Sequence, residues 1–169
     1  TKGSSNNTDI ASYQGALYAS YETGSWYLVG IVSYANNDYD GTRHINVGAV
    51  NRIANSDYDA DQVAIKAALG HEFQVYANSY LTPYVGLHYV YLDIDDYTET
   101  GAGAANLTVQ EETYDSLQSN FGISVRKEME MNNNLKMVPE VHIALFLEHL
   151  DEEQANTSTF TGGGASFTT

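Results

Sequence analysis

The stretch DQVAIKAALGHEF, residues 61–73, decides the fold class, because its side chains alternate between two kinds. Every second residue from Val63 to Leu69 is apolar, and His71 and Phe73 follow in the same phase. The intervening residues are small or polar: Gln62, Ala64, Lys66, Ala68, Gly70 and Glu72. A period of two predicts a β-strand with one apolar face. That face must contact either a protein core or lipid.

Six further strands are predicted on either side of this stretch. They cover about residues 12–21, 26–36, 80–92, 113–126, 135–149 and 159–167. The second is apolar on both faces at its centre, and the next three alternate clearly. The last is the weakest, because three consecutive glycines at 162–164 loosen a strand.

Short and long connections alternate along this predicted series of strands. The first, third and fifth connections are short, whereas 37–60, 93–112 and 150–158 are long. An antiparallel meander places all its short turns at one end and all its long loops at the other, which is typical of outer-membrane barrels. The long connections also carry most of the acidic residues: Asp38, Asp40, Asp57, Asp59, Asp93, Asp95, Asp96, Glu99, Glu111, Glu112, Asp151, Glu152 and Glu153.

The composition excludes several classes of function. At 169 residues the chain has the length of one all-β domain. The net charge of −15, with seven Lys plus Arg, argues against a nucleic-acid partner. The absence of cysteine excludes a disulfide framework, a thiolate zinc site and a cysteine nucleophile. An apolar run of about 18 residues is missing, which excludes a helical membrane span but not strands that need only about 9–11 residues.

Three observations favour lipid over a protein core as the partner of the apolar faces. The polar faces carry mostly Gly, Ala, Ser, Thr, Asn and Gln, whereas a solvated sheet carries many Lys and Glu. The cations inside the strands, Lys66, Arg126 and Lys136, all lie on polar faces, and a cation facing mid-bilayer lipid costs about 2–4 kcal/mol. Aromatic residues gather near strand ends, as in an aromatic girdle. A soluble β-sandwich or small ligand-binding barrel remains the alternative.

The parity of each strand predicts which residues face water and which face lipid. The predicted bore-lining residues are Gln62, Lys66, His88, Gln118, Asn120, Arg126, Glu140, His142 and Glu148. The predicted lipid-facing residues are Val63, Ile65, Leu69, Val85, Leu87, Phe121, Ile123, Val141, Ile143 and Leu145. Both sets follow from the period of two alone.

Five stretches together resemble one protein family. They are DIASYQGALYASYETGSWYLVGIVSYANNDYD, LTPYVGLHYVYLD, YTETGAGAANLTVQEETYDSLQSNFGISV, VPEVHIALFLEH and STFTGGGASFTT. In this order they resemble the C-terminal translocator domain of the bacterial autotransporters, the single-chain proteins of type V secretion. The segment around YTETGAGA is the most specific part of the resemblance.

The resemblance implies an all-β fold, an antiparallel up-and-down transmembrane β-barrel. It implies that about seven strands of a 12-stranded barrel lie in this chain, roughly the family's fourth to tenth strands. Residues 1–169 are then a partial barrel domain, and the N-terminal linker helix, the first strands and the last strands belong to a longer polypeptide.

The resemblance also implies function and partners. The expected function is an outer-membrane translocator of a Gram-negative bacterium that anchors an N-terminal passenger domain and helps export it to the cell surface. The expected partners are its own passenger domain and linker helix, outer-membrane lipid or lipopolysaccharide, and the barrel-assembly machinery, with no nucleic acid. A monomeric barrel that is not an enzyme and has no cofactor or metal is expected.

An outer-membrane barrel hydrolase, a protease or lipase with a rim active site, is the alternative function. Its candidate residues are His88 with Asp93, Asp95 and Asp96, and a Ser116–His–Glu140 arrangement can also be drawn. Neither has a nucleophile elbow or a recognised ligand spacing, so no catalytic residue is predicted. The DYDAD motif at 57–61 lacks the glycine and glutamate of a calcium loop.

Overall fold

The computed structural model describes residues 6–48, 50–131, 135–150 and 157–168, and most of them lie in β-strands. The strands are β1 (Asn7–Thr23), β2 (Trp26–Val47), β3 (Val50–His71), β4 (Phe73–Tyr76), β5 (Ser79–Ile94), β6 (Tyr97–Thr98), β7 (Leu107–Val109), β8 (Glu112–Lys127), β9 (Met129–Met131), β10 (Leu135–Met137), β11 (Glu140–Glu148), β12 (Thr157–Phe160) and β13 (Phe167–Thr168). A short 3-10 helix, Gly103–Ala105, precedes β7. Within these ranges, no helix has the length and apolar character to cross a membrane. The predicted acidic residues Asp151, Glu152 and Glu153 lie outside the described residues.

The long strands form one antiparallel sheet in the order β1-β2-β3-β5-β8-β11, with β4 paired to β5. Each long strand pairs with the next long strand along the chain, so the sheet is a meander. This arrangement confirms the predicted all-β class. The sheet is open among the described residues, and β1 and β11 are its edge strands.

The predicted long loop at 37–60 is wrong, because β2 and β3 continue through it as a paired hairpin. Their register runs without a break from Trp26↔His71 to Val47↔Val50. Acidic and amide side chains in this region suggested a loop, but pairing satisfies the backbone N–H and C=O groups of both strands. The left-handed Gly48 (φ 59°) stands at the tip of the hairpin. Each strand has 22 residues, about twice the 9–11 that cross a bilayer.

The predicted seventh strand, 159–167, is also wrong. Its two ends belong to separate strands, β12 and β13, which pair with each other. Gly163 and Gly164 adopt φ values of 97° and 134°, which interrupt a strand between them. These strands join a small sheet of order β13-β12-β7-β6 rather than the edge of β11. Part of the predicted loop 93–112 therefore folds as the strands β6 and β7.

The predicted sixth strand, 135–149, is divided in two. Its first part, β10, pairs with β9, and its second part, β11, pairs with β8. Pro139 lies between the two parts and has no backbone N–H to donate to a neighbouring strand.

The main sheet is a single layer without a conventional core. The buried apolar residues of the described chain are only Ala54, Ala60, Ala102 and Val109. Large apolar side chains on one face are instead exposed, including Ile143 at 73%. A water-soluble domain would bury such a face against a second layer. The fold therefore requires an apolar environment outside the chain itself.

Candidate functional site: the polar face of the sheet

The predicted bore-lining residues lie together on one face of the main sheet, here called the polar face. Antiparallel pairing aligns them in rows across the strands, since directly opposed residues share a face. The rows are Gln62–Leu92–Tyr114, Lys66–His88–Gln118–Glu148, Gly86–Asn120–Phe146, Thr82–Ser124–His142 and Tyr80–Arg126–Glu140. The ten predicted lipid-facing residues lie on the opposite, apolar face. All of those except Val63, which is half-buried, are exposed.

The polar face is the concave face of the sheet. Thr82, Asn120 and Ser124 on this face are buried, whereas their strand neighbours Phe121 and Ile123 on the apolar face are about half exposed. A single layer has nothing packed on either face, so this difference reflects curvature that crowds one side. A cavity of about 420 Å³ on the polar face is lined from β2 to β11, and a flat sheet could not enclose it.

An ionic cluster marks the short-turn end of the polar face. The Arg126 guanidinium donates to Glu72 at 2.7 Å and to Glu128 at 2.6 Å. It also lies over the ring of Tyr80, 4.1 Å from the centroid. The pair with Glu72 passes over the intervening strand β5, which only the concave side allows. The positive charge of Arg126 is thus neutralised by carboxylates, as is usual for charged residues within a membrane protein.

A second polar group lies beside this cluster on β8 and β11. Ser124 Oγ donates to Glu140 Oε1 at 2.5 Å, and His142 Nε2 lies 3.4 Å from the same carboxylate oxygen. Glu140 is directly opposite Arg126 in the register. The short-turn end of the polar face therefore carries two adjacent groups of paired charged and hydroxyl side chains.

Two tyrosine–glycine pairs shape the polar face, and the sequence analysis did not find them. Tyr27 is directly opposite Gly70, and Tyr84 is directly opposite Gly122. A Cβ at either glycine would overlap the tyrosine ring, so each ring lies flat across the neighbouring strand. Aromatic rings that cover strand glycines restore packing that glycine lacks. The signal for these pairs is the cross-strand register, which the sequence alone does not provide.

Gly122→Val should destabilise the folded domain by about 1–3 kcal/mol, because the added side chain displaces the Tyr84 ring from its place over β8. Gly30→Val is the matched control, since a Cβ at Gly30 meets no atom within 4 Å. The measurement is urea unfolding in lipid vesicles. Equal stability of the two variants would show that the ring does not need the glycine.

The opposite end of the sheet is here called the long-loop end. It comprises the outer part of the β2–β3 hairpin together with β6 and β7. An aromatic stack and an ion pair stabilise it. The rings of Tyr39, Tyr58 and Tyr97 stack in series, with centroid separations of 5.0 and 4.2 Å. Burial raises the pKa of both Tyr58 and Tyr97. Arg43 donates to both carboxylate oxygens of Glu99, and this hydrogen bonding raises the pKa of the Arg43 guanidinium.

Two of the pairings considered for hydrolase chemistry, His88 with Asp93 and Ser116 with Glu140, are not brought together. His88 and Asp93 lie on the same strand five positions apart, so they face opposite sides of the sheet. Ser116 Oγ donates to Glu148 at 3.1 Å, while Glu140 bonds Ser124, eight residues further along β8. Among the described residues, no group of three His, Asp or Glu side chains has an arrangement that could hold a metal ion.

Comparison with known proteins gives a family match over the whole chain. The family model described as the autotransporter β-domain matches residues 1–169. Esterase EstA of Pseudomonas aeruginosa is 26% identical over 115 residues, which cover 66% of this chain and 18% of that protein. Outer membrane protein A of Rickettsia conorii is 25% identical over 140 residues, covering 80% of this chain and 7% of that protein. The chain thus spans less than a fifth of these relatives.

A solved structure shares the fold. The translocator domain of autotransporter NalP from Neisseria meningitidis superposes with a TM-score of 0.63 at 19% sequence identity. The match covers 97% of this chain and 51% of that domain.

Proposed function

Because the chain belongs to the autotransporter β-domain family, we propose that it forms part of an outer-membrane translocator in a Gram-negative bacterium. This translocator anchors an N-terminal passenger domain and helps its polypeptide reach the cell surface. The observation that carries the proposal is the single-layered sheet, with large apolar side chains exposed on its convex face and a polar concave face.

The two faces suit lipid and a water-filled bore, respectively. Lipid stabilises an exposed Ile, Leu, Val and Phe surface that water would not. A bore that passes a polypeptide must be wet and must not hold it tightly. Small or neutral side chains such as Ala64, Ala68, Thr82 and Ser124 meet both needs, and the charge of Arg126 is already paired with Glu72 and Glu128. The bore-lining and lipid-facing sets of the sequence analysis are retained as part of this proposal.

Residues 1–169 are proposed to be one part of the barrel. The open edges of β1 and β11 support this, because unpaired N–H and C=O groups cannot face lipid. Further strands would pair with both edges and close a monomeric barrel. The proposed partners are the protein's own passenger domain and linker helix, outer-membrane lipid or lipopolysaccharide, and the assembly machinery.

The domain is proposed to act without catalysis. One relative is named an esterase, but the match covers 18% of that protein. The separation of His88 from Asp93 and of Ser116 from Glu140 gives no support to a rim active site in this domain.

Single-cysteine labelling tests the proposed bore, because residues 1–169 contain no cysteine; any cysteine elsewhere in the full-length protein is first replaced by serine. The experiment uses the full-length protein in the outer membrane, with the passenger stalled during export and carrying one cysteine. We expect water-soluble maleimide to label the bore set, and the stalled passenger to form disulfides with it. The bore variants are Lys66→Cys, His88→Cys and His142→Cys.

The matched control variants lie next to these positions, on the opposite face of the same strands. They are Ile65→Cys, Leu87→Cys and Ile143→Cys, and only a lipid-soluble maleimide should label them. Labelling of both sets from water would contradict the membrane barrel. Selective labelling without any disulfide to the passenger would leave the barrel but contradict export through this bore.

A further inference from the structure

The cavity of about 420 Å³ on the polar face contains an unsatisfied acceptor. Asn120 lines this cavity and is only 8% exposed. Its side-chain oxygen Oδ1 is buried and has no hydrogen-bond partner among the described residues. Buried side-chain oxygens nearly always have a partner, because an unmade hydrogen bond destabilises the fold. An orphaned oxygen that lines an open cavity is free to accept from a donor outside this wall.

Gly86 keeps Asn120 in this position. The two residues are directly opposed on β5 and β8, and a Cβ at Gly86 would lie 2.7 Å from Oδ1 and 3.0 Å from Nδ2. The carboxamide thus lies over the glycine backbone, so the position directly opposite it on β5 has no side chain that could donate. On the other side of Asn120, the residue in the same row is Phe146 of β11, whose side chain has no hydrogen-bond donor either.

Phe146 is a second unusual residue of this cavity, because it is a large apolar side chain on the polar face. It is directly opposite Asn120 on β11, lines the same cavity, and is 61% exposed although it lies on the polar face. A planar cation satisfies both residues, since a guanidinium donates several N–H groups and stacks on aromatic rings. The same wall already holds one guanidinium in this way, that of Arg126 over Tyr80.

We propose that Asn120 and Phe146 form a subsite for an arginine side chain of the polypeptide that occupies the bore. The guanidinium donates to Asn120 Oδ1 and lies against the Phe146 ring. This inference rests on the proposed function, because it requires a polypeptide in the bore. Beyond the proposed function, the inference names the side chain that the bore wall binds, arginine, and the two residues that bind it.

The test is photo-crosslinking in the full-length protein within the outer membrane. Phe146→p-benzoylphenylalanine keeps an aromatic ring and should crosslink to bore polypeptide within about three residues of an arginine, as located by mass spectrometry. Leu145→p-benzoylphenylalanine is the control on the apolar face and should give no such product. Asn120→Leu should lower the crosslink yield about tenfold, whereas Gln118→Leu, two residues away on the same face, should not.

Asn120→Asp retains an acceptor and should retain the crosslink, which separates loss of the subsite from loss of folding. A crosslink to a segment without arginine, absence of a crosslink, or an unchanged yield in Asn120→Leu would overturn the inference. Surface display of the passenger is measured in the same cells. Display with no arginine crosslink refutes only the subsite, whereas failure of the unaltered protein to display its passenger refutes the proposed function.

Discussion

Ile143→Arg is expected to destabilise the folded domain in a bilayer by about 2–4 kcal/mol. Ile143 lies in the middle of β11 on the apolar face and is 73% exposed, so the substitution removes little contact with the protein itself. In water, a substitution at such an exposed position would change stability by less than about 0.5 kcal/mol. The size of the effect therefore reports the solvent that the apolar face meets. Urea unfolding from lipid vesicles measures it.

His142→Arg is the matched control for this prediction. His142 is the adjacent residue on β11 but lies on the polar face, with an exposed side chain near Glu140. A new cation there meets a carboxylate and water, so we expect a change below about 1 kcal/mol. If both arginine variants are equally stable, the apolar face does not contact lipid.

Glu99→Leu is expected to lower the local stability of the long-loop end by about 2–3 kcal/mol. Glu99 is 6% exposed. It accepts two hydrogen bonds from Arg43 and one from the backbone N–H of Leu107, the last at 2.8 Å. Leucine has a similar size but no acceptor, so the guanidinium and this N–H lose their partner. The half-buried Arg43 keeps some access to water, which places the effect below that of a fully buried pair.

Hydrogen exchange of the Thr100 amide, which donates to the Asn55 carbonyl, measures this loss, since local opening exposes it without global unfolding. The double variant Arg43→Leu/Glu99→Leu should recover part of the protection, because no charge is then left without a partner.

Asp57→Asn in the same hairpin is the control. Asp57 is directly opposite Asp40, so neutralising it should be neutral or stabilising. Unchanged exchange in Glu99→Leu would mean that the ion pair does not hold β6 and β7 in place.

The strands that cross the main sheet could be predicted because their signal is local. A period of two in residues 61–73, 80–92 and 113–126 is visible within each stretch. Residues 80–92 and 113–126 lie in β5 and β8. Residues 61–71 lie in β3, which ends at His71, so that Phe73 belongs to β4 instead. The same period assigned Lys66 and His88 to one face and Ile65 and Leu87 to the other, as the register has them. Face assignment needs no knowledge of neighbouring strands, since it follows from pleat geometry.

Residues 37–60 and 159–167 could not be predicted, because their structure depends on contacts with distant parts of the chain and not on a local pattern. Residues 37–60 are rich in Asp and Asn, and this polarity indicated a loop although short stretches such as Asp57-Tyr58-Asp59-Ala60 alternate. The pairing is favoured by contacts such as the stack of Tyr39 on Tyr58, which form only after the strands align. At 159–167 the glycines allowed a weak strand, and only the left-handed conformations of Gly163 and Gly164 show that it divides.

The amino-acid sequence by itself determined the period of the strands, the contrast between their two faces and the resemblance to the family, because each is a property of residues close together along the chain. Only the tertiary structure decided the register, the curvature and the side-chain pairs of the concave face. Glu72 meets Arg126 across 54 positions of sequence, and Asn120 lies over Gly86 because two strands are aligned in one particular register. Such pairs depend on how separate strands twist and align, which no single strand encodes.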